Sequence, residues 1–199
     1  MAKDGGGRLE KTVPGKIMSV LTRVAFMFCI GGLVGWLYEV FICAPLNQMP
    51  IDLTHGGLGI PFLMIYGAGS ALIELALGLE RKQGAWWVQL LAIIVLTTTV
   101  EYVTGLIMLR IVGVQTWDYH LPGWDFLVSP DGLVCLRASL TFGLMGLLQL
   151  RGLSRLYEWT FVANAQVLRV AVWLCFALVV LALLNGSFLH IVDTGGMWH

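Results

Sequence analysis

Glu39, Glu74, Glu101 and Arg137 sit inside long apolar stretches of the chain. A charge at the centre of a bilayer costs at least about 2.5–3.5 kcal/mol, so such groups face protein or water rather than lipid. Carboxylates and a guanidinium on separate helices can bind a cargo, pass a proton, or brace the helices. At 1.5 Å per helical residue, Glu39, Glu101 and Arg137 fall roughly 6–12 Å below one common surface. Asn185 and Ser187 reach a similar level, and the loop residues Asp118, His120 and Asp125 would roof the layer. Two carboxylates against one guanidinium leave a surplus acid, able to accept a proton, that a pure brace would not need. Glu74 is different: its position predicts the opposite interface, beside Arg81 and Lys82.

The elements that must position these groups are transmembrane helices. Of 199 residues, 58% are hydrophobic and 12% charged, with a mean hydropathy of +0.82. Soluble domains carry about 25% charged residues, so most of the exterior here must be lipid. Five stretches, 19–43, 58–79, 85–109, 132–150 and 169–192, have about the 20 residues needed to cross 30 Å of hydrocarbon. They lack the alternation of barrel strands, and helices satisfy their own backbone in lipid. The expected fold is therefore an all-α polytopic bundle of about five spans, with a basic tail over 1–18 and a short tail over 193–199. A cleavable leader is a poor alternative, because its apolar core would be only about 7–15 residues.

Charge sets the expected orientation. With the N-terminus in the cytoplasm, Lys3, Arg8, Lys11, Lys16, Arg23, Arg81, Lys82, Arg151, Arg155 and Arg169 all lie on or near the inner side, leaving Arg110 and Arg137. That asymmetry follows the positive-inside rule and puts the C-terminus outside. Segment 151–166 mixes charged and bulky apolar residues and suits a helix at the inner interface. Loop 113–131 holds Trp117 and Trp124, which could be interfacial anchors or part of the roof.

Other chemistries are excluded or weak. Net charge is zero, which gives no case for nucleic acid. The only Gly-Lys pair, Gly15-Lys16, is followed by Ile17, so no phosphate-binding loop of the GxxxxGK[ST] type exists. Cys29, Cys43, Cys135 and Cys175 show no metal-ligand spacing and read as packing residues, although Cys43 and Cys135 lie close enough to one surface for a disulfide. No metal or cofactor is expected. Gly31, Gly32 and Gly35, and the run Ile65–Ser70, predict close helix contact.

Five short motifs together resemble the type IV ABC-transporter permeases, the CmpB-like family of bacterial membrane proteins. They are Gly35-Trp36-Leu37-Tyr38-Glu39; Pro61 with Tyr66-Gly67-Ala68-Gly69; Glu101-Tyr102-Val103-Thr104-Gly105; Trp117-Asp118-Tyr119; and Cys135-Leu136-Arg137-Ala138-Ser139. The resemblance covers about residues 25–150. It departs where Thr54-His55-Gly56 replaces the family's Asn-Arg-Gly, where Ile60-Pro61 replaces Gly-Pro, and at Met64. It implies a transport-related permease subunit in the bacterial cell membrane, with Tyr66 and Trp117 joining Glu39, Glu101, Asp118, His120, Arg137 and Asn185 as candidate site residues. Such a subunit would need a separate ATPase, docked on segment 151–166, and five spans suggest a homodimer in the lipid bilayer. The alternative reading is an intramembrane enzyme or lipid-handling protein acting on an outer-leaflet head group.

Overall fold

A computed structural model describes residues 13–56, 58–78 and 85–184, and all regular structure among them is helical. Helix α1 (Val13–Tyr38) continues through a π-turn at Glu39–Cys43 into Ala44–Leu46. Helix α2 (Met64–Ile73) ends in a π-turn at Glu74–Gly78. Helix α3 (Trp86–Ile107) extends through Met108–Val112, where Gly113, at φ 81°, stops it in the left-handed conformation that a side chain would resist. Helices α4 (Leu136–Leu148) and α5 (Ser154–Ala182) are joined through a π-turn at Gln149–Leu153 as one run. That run breaks once, at Asn164, which adopts φ −159°, ψ 82° and accepts a hydrogen bond from the Val167 amide at 3.2 Å. This is an N-cap geometry, so the helix restarts after Asn164.

Three runs, Lys16–Leu46, Trp86–Val112 and Leu136–Ala182, are long and apolar enough to cross a membrane by length and composition. Their exteriors fit that role. Leu91, Val95, Val103 and Ile107 on α3, and Leu174, Leu178 and Leu181 on α5, are all exposed. Spaced three, four or eight apart, they make apolar outward stripes, which belong in lipid. The chain is a membrane protein.

Helix α2 is shorter than the expected 58–79 span. Gly59 takes φ 67°, and Pro61 disfavours helix at Ile60. The apolar segment Leu58–Leu63 is therefore irregular, and α2 starts only at Met64. This segment lies deep beside α1: Trp36 Nε1 donates to the His55 carbonyl at 2.9 Å, and the Leu63 amide donates to the Gly32 carbonyl at 3.0 Å. Gly32 lies about 21 Å along the helix from Leu46. Gly31 and Gly35 make the approach possible, because a Cβ on either would collide with Ser70 or Tyr66. The predicted small-residue contact is thus the seam between α1 and α2.

The fourth helix likewise begins at Leu136 rather than 132. The Ser129 hydroxyl accepts from the Leu133 and Val134 amides at 3.1 and 3.2 Å, and Gly132 takes φ 73°. Those bonds hold 132–135 as a loop. Cys135 then caps α4, its thiol accepting from the Ala138 amide at 3.4 Å. At the other end, the π-turn Gln149–Leu153 leads from α4 into residues 154–163, which the non-helical backbone of Asn164 separates from the rest of α5.

Candidate functional site

Loop 113–135 folds back into the end of the bundle where α1 finishes, hereafter the Leu46 end. Trp117 Nε1 donates to the Leu133 carbonyl at 2.9 Å, and the Tyr119 amide donates to the Gly132 carbonyl at 2.9 Å. Trp117 rests against Gly105 of α3, where a Cβ would meet it at 3.2 Å. Trp124 anchors the loop to the end of α1 by donating to Asn47 Oδ1 at 2.8 Å. Its ring stacks on Tyr119 with centroids 5.6 Å apart.

Beneath this loop is a cavity of about 80 Å³. Glu39, Tyr66, Glu101, Trp117 and Asp118 line it, so five of the eight candidate residues meet at one site. Each glutamate has a phenol partner from another element. Tyr66 of α2 donates to Glu39 Oε1, and Tyr119 of the loop donates to Glu101 Oε1 at 2.6 Å. Burial and the adjacent Glu101 carboxyl push the Tyr119 phenol well above its usual pKa, so it stays a donor. Glu101 is only 4% exposed. The second oxygens of both carboxyls, Glu39 Oε2 and Glu101 Oε2, are buried without a hydrogen-bond partner among the described residues.

The remaining candidates are elsewhere. Arg137 does not pair with either glutamate. It is exposed, donates to the Gly123 carbonyl at 2.8 Å, and lies 4.2 Å above the Trp124 ring. The late start of α4 explains this: Arg137 is in the first turn, at the helix end, rather than several residues along it. His120 is exposed on the rim, where its Nδ1 and amide contact Asp118 Oδ1 at 2.7 and 2.9 Å. Asn185 lies outside the described residues. Cys43 and Cys135 are free, buried thiols packed in one cluster with Trp124 and Ala138.

Sequence reasoning missed Tyr119 and Asn47 as pocket residues, while Trp124, left open there as anchor or roof, lines the pocket. Loop residues carry no periodicity, and the one available signal was the density of aromatic groups in Trp117–Trp124. A second cavity, of about 280 Å³, lies alongside the first and shares Ile65, Tyr66, Glu101 and Phe142 with it. Tyr66 and Phe142 meet edge to face, at 5.4 Å between centroids.

Glu74 forms a separate cluster towards the other end. Its side chain is fully buried, pairs with Arg23 of α1, and accepts from Ser154 Oγ of α5 at 3.1 Å. Arg23 also reaches Glu158 at 3.3 Å and lies 5.7 Å from the Tyr157 ring centre. The expected partners Arg81 and Lys82 lie outside the described residues. Arg23, counted above among inner-side charges, packs between helices with 15% of its side chain exposed.

The family model described as "Putative ABC-transporter type IV" matches residues 26–187. The chain belongs to that family. The matched region takes in Glu39, Glu74 and Glu101, α1 from Phe26 and the whole of loop 113–135, and begins three residues after Arg23. The chain matches no curated protein and no solved structure.

Proposed function

We propose that this protein is the permease-like subunit of a transport system, that it crosses the bacterial cytoplasmic membrane five times with its N-terminus inside, and that the Leu46-end pocket is its outward-facing recognition site. The observation that carries the reading is the state of Glu101: nine-tenths buried, lining a cavity, with one carboxyl oxygen bound to Tyr119 and the other without a partner among the described residues. Buried polar groups in folded proteins are nearly always hydrogen-bonded, and an isolated buried charge is strongly unfavourable. An unsatisfied carboxyl facing a cavity is therefore a group kept for a ligand or a proton. The α1 seam supports the same reading. Irregular backbone at membrane depth is tolerated where it is buried in protein or lines a cavity. Segment Leu58–Leu63 meets that condition, with Leu58, Phe62 and Leu63 all buried, and it delivers Tyr66 to Glu39.

Family membership supports a separate ATPase, and segment 151–166 at the inner side is its docking surface in this reading. The wider assembly is a homodimer of such bundles in the lipid bilayer. Purification of the tagged protein in mild detergent, with mass spectrometry of what accompanies it, tests the assembly. A stoichiometric nucleotide-binding ATPase, lost on Arg155→Glu, is the expected result. A protein isolated alone with a defined lipid points instead to a lipid-handling role for the same pocket.

A further inference from the structure

We propose that the pocket between Glu39 and Glu101 takes a primary ammonium group. The inference rests on the pocket being the recognition site, and it adds the chemical class of the ligand.

The case starts from the unmet hydrogen bonds. Both unpartnered oxygens, Glu39 Oε2 and Glu101 Oε2, are acceptors, and both carboxyls border the same cavity. Their other oxygens are already held by Tyr66 and Tyr119. The phenols thus orient the two carboxyls, the Cys43 thiol lies beside that of Glu39, and one oxygen on each is left without a well-aligned partner among the described residues. A primary ammonium carries three N–H donors and no acceptor, so one such group can satisfy both. A carboxylate or phosphate would set like charges against each other. A quaternary ammonium has no N–H to offer and would depend on open aromatic faces. Trp124, the ring best suited to that, already has Tyr119 stacked on it and Arg137 above it.

Charge and size agree. Among the described residues neither glutamate makes an ion pair with Lys, Arg or His. Arg137, the cation nearest the roof, bonds the Gly123 carbonyl, and the roof's Asp118 is engaged by His120. No group of three or more His, Cys, Asp or Glu among the described residues could hold a metal ion. The cavity of about 80 Å³ is about half the 150 Å³ that accommodates benzene in an apolar core. It has room for an ammonium and a short stem. Leu63, Ile65, Ala138 and Phe142 give that stem an apolar wall. The ammonium can come from a free alkylamine or from a lipid head group of the ethanolamine type.

Calorimetry on the protein in phosphatidylglycerol nanodiscs tests the assignment, using propylammonium, tetramethylammonium, 1-propanol and propionate as probes. The expected result is saturable heat for propylammonium alone, weakened about tenfold or more by Glu101→Gln, as for loss of a charge-assisted hydrogen bond. Ala138→Val, which narrows the cavity and leaves both carboxyls in place, should also suppress binding; it serves if Glu101→Gln does not fold. Nanodiscs of phosphatidylethanolamine separate the sources: reduced propylammonium heat there identifies the head group as the occupant, and undiminished heat identifies a free amine. Glu101-dependent binding of propanol or propionate would overturn the ammonium class but keep the pocket as a recognition site. No Glu101-dependent heat from any of the four probes would remove both.

Discussion

The two ends of this bundle each bury glutamate between helices, and they finish the job in opposite ways. At the Leu46 end, Glu39 and Glu101 are held by phenols, face a cavity, and keep one oxygen each without a partner among the described residues. Around Glu74 the carboxyl is paired with Arg23 and with Ser154. A guanidinium satisfies a buried carboxylate in place, and the cluster then has little left to offer a ligand. A phenol bonds one oxygen and supplies no charge. The same residue type in the same apolar setting is thus a brace at one end and a candidate site at the other. The partner decides which.

Substitutions can break this contrast, beginning with the brace. Removing one member of a buried ion pair leaves the other uncompensated, at a cost of about 3–5 kcal/mol. Arg23→Met should therefore lower the unfolding midpoint of the purified protein more than any pocket variant. The double change Arg23→Met with Glu74→Leu should regain much of that loss, because an apolar pair of similar volume can replace a buried ion pair. Additive losses in the double variant would mean that the two side chains do not act as a unit.

Next in size is the seam that carries Tyr66 to Glu39. Gly35→Ala places a Cβ against the Tyr66 ring, and overpacking of this kind costs about 1–3 kcal/mol. It should lower stability and, in the same variant, weaken whatever binds the pocket. Tyr119→Phe removes one hydrogen bond to Glu101, worth about 1 kcal/mol of stability. Its effect on pocket binding should exceed its effect on the melt, since the phenol orients the carboxyl. The smallest effect belongs to Arg137→Lys, which gives up stacking on Trp124 worth about 0.5–1 kcal/mol at an exposed position and should leave pocket binding close to wild type. A large loss of binding there would bring Arg137 back into the site.

Much of the frame was legible in the chain. The apolar stretches 19–43 and 85–109 are the runs Lys16–Leu46 and Trp86–Val112 with ends moved by a few residues. Hydropathy measures that property directly. It could not separate apolar helix from apolar loop, so Leu58–Leu63 and residues 132–135 were read as helix; their local turns, built on Gly59, Pro61, Ser129 and Gly132, overrode the apolar pattern. Depth arithmetic brought Glu39 and Glu101 to one level because both lie well inside continuous helices. The same arithmetic misplaced Arg137, whose depth depended on where α4 begins. Depth also says nothing of the direction a side chain takes around its helix, so the Arg23–Glu74 pair, 51 positions apart in the chain, left no sequence signal beyond an arginine inside an apolar run.

The most direct test sets the two ends side by side: chemical unfolding of Glu101→Gln and Glu74→Gln in the same detergent. Glutamine keeps the shape of each side chain, removes its charge and exchanges one acceptor oxygen for an NH2 donor. The contrast predicts that Glu74→Gln loses about 3–5 kcal/mol by taking from Arg23 its fully buried anion and leaving it only the more exposed Glu158. Glu101→Gln should change stability by less than about 1 kcal/mol, because its amide oxygen still accepts from Tyr119 and no cation is left unpaired. Equal losses in the two variants would contradict the account and make Glu101 a brace like Glu74.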